Sequence, residues 1–334
     1  MIAAALIQSV YALLTAIAVG FELVPWTREA FVKYGRTRSA RPKAQGRPSR
    51  GAQIISRAPW LAAALEWFAA TTVPKNWFSQ FYWTGAAVGG LVLLDTVLWL
   101  WRSRSYSPGL QEPAPCFVFA AAALLERWIG RAPQAAPTAI GSRGLAAVAG
   151  LTMYSIHIVV RLKETVCDQP ISSARMHIGQ YAVGMVFYVV TPLAVVVDAH
   201  CAHIWRPVSM WVFMAATVLF AFASLHQWRC HHILFQLRSM KLQRSSEQPQ
   251  IAGAYALPSG DLFEYVSSPH YLCEILVYIS LWMATGFQAP TLLAVVVWSA
   301  ANLGITARES QLWYRKTFGE QFPQHRRALV PWVW

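Results

Sequence analysis

The chain has 334 residues, is 56% hydrophobic and is only 13% charged, about half the charge of a soluble domain. That composition excludes a water-soluble globular protein, and sixteen Trp and twelve Tyr suit a protein with many anchors at the membrane–water interface. The net charge of +13 is no nucleic-acid footprint, because the basic residues sit in loops between apolar runs, as membrane topology requires.

Taken along the chain, the apolar runs predict an all-α polytopic membrane protein with about seven transmembrane helices, each near the ~20 residues a crossing needs. Residues 1–26 hold the first span, 2–21. It has no basic leader and no obvious cleavage site, so it reads as a retained helix and not a cleaved signal. Residues 27–57 carry nine Lys/Arg, from Arg28 to Arg57, against the single acid Glu29. This segment reads as a disordered cytosolic loop. Residues 58–225 form a membrane region with about four spans, 78–101, 145–161, 177–197 and 206–225. Two shorter apolar pieces, 59–72 and 114–125, are expected to be interfacial or re-entrant. Residues 226–334 form the C-terminal region: a loop over 226–270 with Arg229, Arg238, Lys241 and Arg244, spans 271–287 and 290–307, and a basic tail. Four crossings separate the two basic loops and two more reach the tail, so all three share the cytosolic side, provided that neither short piece crosses.

The most informative residue is Glu274. It heads an apolar run, where a carboxylate is costly and is usually placed for function. His270, one helical turn earlier, shares its face. Arg161 and Glu164 follow the third span and read either as a snorkelling pair or as a contact for a phosphate or cofactor. Asp95 and Asn302 lie inside spans and leave structural and functional roles open. Nine histidines include Asp198-x-His200-x-x-His203 and His226-x4-His231-His232. The topology puts these two sets on opposite faces of the membrane, so no metal site is expected. No Gly-rich phosphate loop is present, and a nucleotide would have to be held by helix ends, loops and Arg. Five scattered cysteines read as buried free thiols.

Several stretches carry a family resemblance: His226-Gln227-Trp228-Arg229-Cys230-His231, Leu237-Arg238, Tyr255-Ala256-Leu257-Pro258-Ser259-Gly260-Asp261, the run from Phe263 to Glu274, Tyr314-Arg315-Lys316, and the ending from Phe322 to Trp334. On these residues the chain resembles the steroid 5-alpha-reductase family, most closely its polyprenol (polyprenal) reductase branch. The resemblance implies a seven-helix bundle that binds NADPH at a cytosolic C-terminal region and reduces a carbon–carbon double bond conjugated to a carbonyl. It implies cofactor binding by Arg238, Tyr255, His270 and Glu274, joined by Gln227, His231 and Arg161 through approximate alignment. Tyr314, Tyr82 and Glu274 are the catalytic candidates. The chain departs from the steroid enzymes at His270, where they commonly have Asn, at Ser310, where they have His, and at Phe81, where their carbonyl-binding Glu is expected. The expected substrate is therefore not a steroid but a long-chain isoprenoid, reduced in the endoplasmic reticulum membrane on the way to dolichol and protein N-glycosylation. The competing readings are an isoprenylcysteine-type membrane methyltransferase, a reductase of another lipid enone, and a transporter or scaffold.

Overall fold

In a bilayer the backbone must satisfy its own hydrogen bonds, so long apolar runs close into helices. The computed structural model describes residues 2–23, 71–104, 141–171, 174–201, 206–247 and 255–333. Among them run seven α-helices: α1 (Ile2–Leu23), α2 (Phe78–Arg104), α3 (Gly141–Lys163), α4 (Ile178–Cys201), α5 (Met210–Glu247), α6 (Pro269–Ala284) and α7 (Pro290–Phe318). Six helical stretches are long and apolar enough to cross a membrane. The remaining helix, α6, has 16 residues, about 24 Å at 1.5 Å per residue. The chain is an all-α polytopic membrane protein. The basic loop 27–57, the piece 114–125 and all but the end of 59–72 lie outside the described residues. So does His203 of the first histidine set.

Two predicted boundaries move. The fifth span was expected to end at 225 and give way to a loop, yet α5 runs unbroken to Glu247, 38 residues in all. Its charged second half is still good helix sequence, and α6 packs along it. Likewise α7 continues past 307 to Phe318. Both helices are far longer than the ~30 Å hydrocarbon core requires, so their basic ends stand beyond it.

Helix ends follow local chemistry. Helices α6 and α7 open on Pro269 and Pro290, at the position where a missing N–H costs nothing. Asp198 caps α7: its carboxylate accepts the Thr291 N–H at 2.7 Å and the Thr291 hydroxyl at 2.9 Å. Inside α4, Pro192 cannot donate to the Tyr188 carbonyl one turn back. The buried Tyr154 phenol of α3 reaches that carbonyl at 3.5 Å.

The described helices alternate in direction along the chain. Gln8 donates to Thr291 at 2.9 Å, and Arg308 to Glu22 at 2.5 Å, so α1 and α7 run parallel. Strands β1 (Thr72–Pro74) and β2 (Arg175–His177) pair antiparallel and lead into α2 and α4. The end of α1, the start of α2, the end of α3, the start of α6 and the end of α7 therefore gather at one end of the bundle. That is the parity the charge pattern requires. Between the helices lies a core that includes Tyr11, Tyr82, Tyr154, Tyr188, Tyr278 and Phe81.

Candidate active site

Arg161 lies in the last turn of α3, and the helix then widens into a π-helical turn, Glu164–Asp168. Such turns recur at functional sites. This one carries Glu164 inward: it is 1% exposed and Arg161 11%. The snorkelling reading of this pair is thereby overturned, because both side chains point into the bundle and not toward the interface. Arg161 donates to the Glu164 carboxylate and, through its second terminal nitrogen, to the Tyr82 phenol oxygen at 3.1 Å. His231 of α5 places Nδ1 2.6 Å from Arg161 and 3.2 Å from Glu164. A guanidinium only donates and a carboxylate only accepts, so Nδ1 accepts from Arg161 or donates to Glu164 and does not do both at once.

Glu274, in the second turn of α6, is gripped beside this group. Its Oε2 accepts from Gln227 of α5 at 2.5 Å and its Oε1 from the Tyr278 phenol at 3.0 Å. His157 of α3 faces Oε1 at 3.4 Å. The Gln227 amide also reaches the His270 carbonyl at 3.4 Å, tying the two residues that share the α6 face. The His270 ring packs 4.1 Å from Tyr271 and 5.5 Å from His231, centroid to centroid.

The structure thus brings six of the expected residues, Tyr82, Arg161, Gln227, His231, His270 and Glu274, into one buried group. The other three, Arg238, Tyr255 and Tyr314, form an outer group. Arg238 follows His231 by two turns on α5 and lies within electrostatic reach of the Tyr271 and Tyr314 phenols. Lys241 stands 3.3 Å over the Tyr255 ring, which meets Trp313 edge-on at 4.9 Å. Tyr314 stacks on Phe322 and Phe318. His270 and Tyr271 bridge the groups. Sequence reasoning missed His157, Tyr278 and Tyr188, whose ring meets Tyr82 edge-on at 5.2 Å. The signal for His157 was present, since an ionisable residue inside a span, one turn before Arg161, is a functional candidate by position. The two tyrosines gave none, because a tyrosine in an apolar run reads as core.

A dinucleotide needs polar partners inside an apolar protein. Next to Glu274, the hydroxyls of Ser267 and Ser268, Nδ1 of His270 and Oε1 of Glu164 are buried with no hydrogen-bond partner. Each such atom costs about 1–3 kcal/mol if left so. Ser268 is the N-cap of α6 yet makes no capping bond, leaving the positive end of that helix open to an anion. Together with the cations Arg238 and Lys241, this set of hydroxyl and imidazole groups with one acceptor carboxylate oxygen fits a nucleotide cofactor. Among the described residues no group of three or more His, Cys, Asp or Glu is arranged to hold a metal.

Residues 174–334 match the family model described as 3-oxo-5-alpha-steroid 4-dehydrogenase. The chain is 31% identical over 273 residues to a polyprenal reductase of Mesocricetus auratus, covering 78% of each. It is 30% identical over 314 residues to a polyprenal reductase of Homo sapiens, covering 90% of this chain and 84% of that protein. A Xenopus tropicalis polyprenal reductase is 27% identical over 336 residues, with 98% and 95% covered. With relatives alike at this level along most of its length, the chain belongs to the steroid 5-alpha-reductase family, in the branch that holds the polyprenal reductases.

Proposed function

We propose that the chain is an NADPH-dependent oxidoreductase that saturates the α-isoprene double bond of a polyprenal. Its place is the endoplasmic reticulum membrane, with the C-terminus cytosolic, and its product feeds dolichol biosynthesis and thereby N-glycosylation. The observation that carries the reaction is the Arg161–Tyr82 bond, 3.1 Å long and part-buried, with Tyr82 itself buried. An isolated alkene resists hydride, whereas an enal accepts it at the β-carbon because the aldehyde oxygen takes up the charge. The residue facing that oxygen must donate. Arg161 donates into the Tyr82 oxygen, so the phenol proton is turned toward a third group and the charge left on the oxygen is shared with the guanidinium. An allylic alcohol offers no such oxygen, which favours polyprenal over polyprenol; the names of the relatives support the same choice.

NADPH, held in this site, would supply a hydride for C3 of the α-isoprene unit and leave as NADP+. Tyr82 would stabilise the enolate oxygen, and a proton taken up at C2 from water would complete the saturated aldehyde. Glu274, Gln227 and His270 hold the nicotinamide and ribose end. Arg238, Tyr255 and the basic tail hold the phosphates and adenine. Tyr314, stacked in the outer group, serves this cofactor end and not the carbonyl.

The test uses purified protein in lipid nanodiscs with NADPH or NADH and either polyprenal or polyprenol. The expected outcome is saturation of the aldehyde with NADPH preferred. Saturation of the alcohol but not of the aldehyde overturns the substrate assignment. Thermal stabilisation by S-adenosylmethionine in place of NADPH overturns the cofactor.

A further inference from the structure

We infer that His157 is a positioning residue that sets the Glu274 carboxylate in register with the Arg161–Tyr82 pair; the inference rests on the cofactor reading above. His157 is 2% exposed, and its Nε2 is buried without a hydrogen-bond partner of regular geometry. What faces this nitrogen is Glu274 Oε1, at 3.4 Å. An unsatisfied donor in a dry bundle costs about 1–3 kcal/mol, so the nitrogen is held toward the carboxylate. The ring also stands edge-on to Tyr278, 6.3 Å away, and Tyr278 donates to the same Oε1.

Topology gives this contact its meaning. Gln227 approaches Glu274 from α5 and Tyr278 from α6 itself. His157 approaches from α3, the helix that carries Arg161 one turn further on. Residues so spaced lie about 5–6 Å apart on one face. Through His157, the group proposed to hold the hydride donor is tied to the pair proposed to polarise the aldehyde. A shift of about 1 Å between reacting centres is enough to slow a reaction on the order of 100-fold, so this tie controls a distance that the chemistry depends on.

The experiment is a double-mutant cycle on the intact protein in nanodiscs, reading NADPH affinity and the KM values for NADPH and for polyprenal. His157→Phe keeps the ring and removes the donor; His157→Leu removes both and serves if the first does not fold. His157→Gln restores a donor. Either removal is expected to raise the NADPH KM about tenfold, as for one lost hydrogen bond to a charged group, and to lower kcat measured in the same assays, with polyprenal KM within about twofold of wild type. His157→Gln should recover most of the loss. In combination with Glu274→Gln, the His157 change should add little, since both remove one interaction. Full multiplication of the two effects, or an NADPH KM unmoved in both removals, overturns the inference and leaves the reductase reading standing. Wild-type protein that binds no NADPH overturns that reading, and this inference with it.

Discussion

A single guanidinium organises the deep part of the site. Arg161 serves Glu164, His231 and Tyr82 from its two terminal nitrogens. A lysine has the charge but not the planar fork, so Arg161→Lys is expected to leave the protein folded and lower kcat on the order of 100-fold, the loss typical of one misplaced stabilising donor. Tyr82→Phe should lower kcat by a similar factor, about 100-fold, with NADPH binding unchanged, because the phenol is proposed to serve the carbonyl and not the cofactor. Steady-state kinetics with NADPH titration separates the two variants from a cofactor defect. Sequence motifs reached Arg161 and Glu274, since a charge inside or beside a span announces itself. They did not reach the pairing. Whether Glu164 lay at the interface or in the core was decided by the π-helical turn, which no local composition signals. That Gln227 completes Glu274 depends on how α5 rotates against α6, a matter of packing, whereas Tyr278 reaches Glu274 from one turn further along α6.

At the level of elements, the phenol-rich core depends on close approach of α2 to α3 and α4. A Cβ on Gly89 would lie 2.9 Å from Tyr154 Cε1, and one on Gly184 would lie 2.7 Å from Phe81 Cζ. Neither ring can withdraw: Tyr154 serves the carbonyl that Pro192 leaves unpaired, and Phe81 stacks against Tyr188 at 5.9 Å. Overpacking of this kind costs about 1–3 kcal/mol, so Gly89→Ala and Gly184→Ala should each lower the melting temperature in detergent. A Cβ on Gly90, next in sequence, would meet nothing within 4 Å. Gly90→Ala should therefore be neutral or stabilise by up to about 1 kcal/mol, the helix propensity difference. Existence of the helices was legible from apolar length alone, but their ends were not. Basic residues after His226 read as a loop because they terminate the apolar run, whereas helix formation tolerates Arg and Lys well and α5 goes on to Glu247.

For the whole molecule, charge and geometry meet in the sidedness of the bundle. The Glu22–Arg308 and Arg161–Tyr82 contacts place the end of α1 beside the late turns of α7, and the start of α2 beside the end of α3. Glu274, Arg238 and the basic tail share this end. The opposite end carries the Asp198–Thr291 cap and the turn through Gly286, between α6 and α7. By the positive-inside rule the first end is expected to face the cytosol, from which the proposed soluble anionic cofactor would arrive. The chain has only two asparagines, Asn76 and Asn302, and neither begins an Asn-x-Ser/Thr acceptor. An acceptor sequence with a short spacer, inserted after Gly286, is therefore expected to be glycosylated when the protein is made in endoplasmic reticulum membranes. The same insertion after Gly319, where α7 ends at φ +51° with open space around it, should stay unmodified. The mass shift and its removal by an endoglycosidase are the measurement. Modification at Gly319 and not at Gly286 would invert the protein, put Glu274 and Arg238 at the lumenal surface, and remove the route by which NADPH is proposed to reach them.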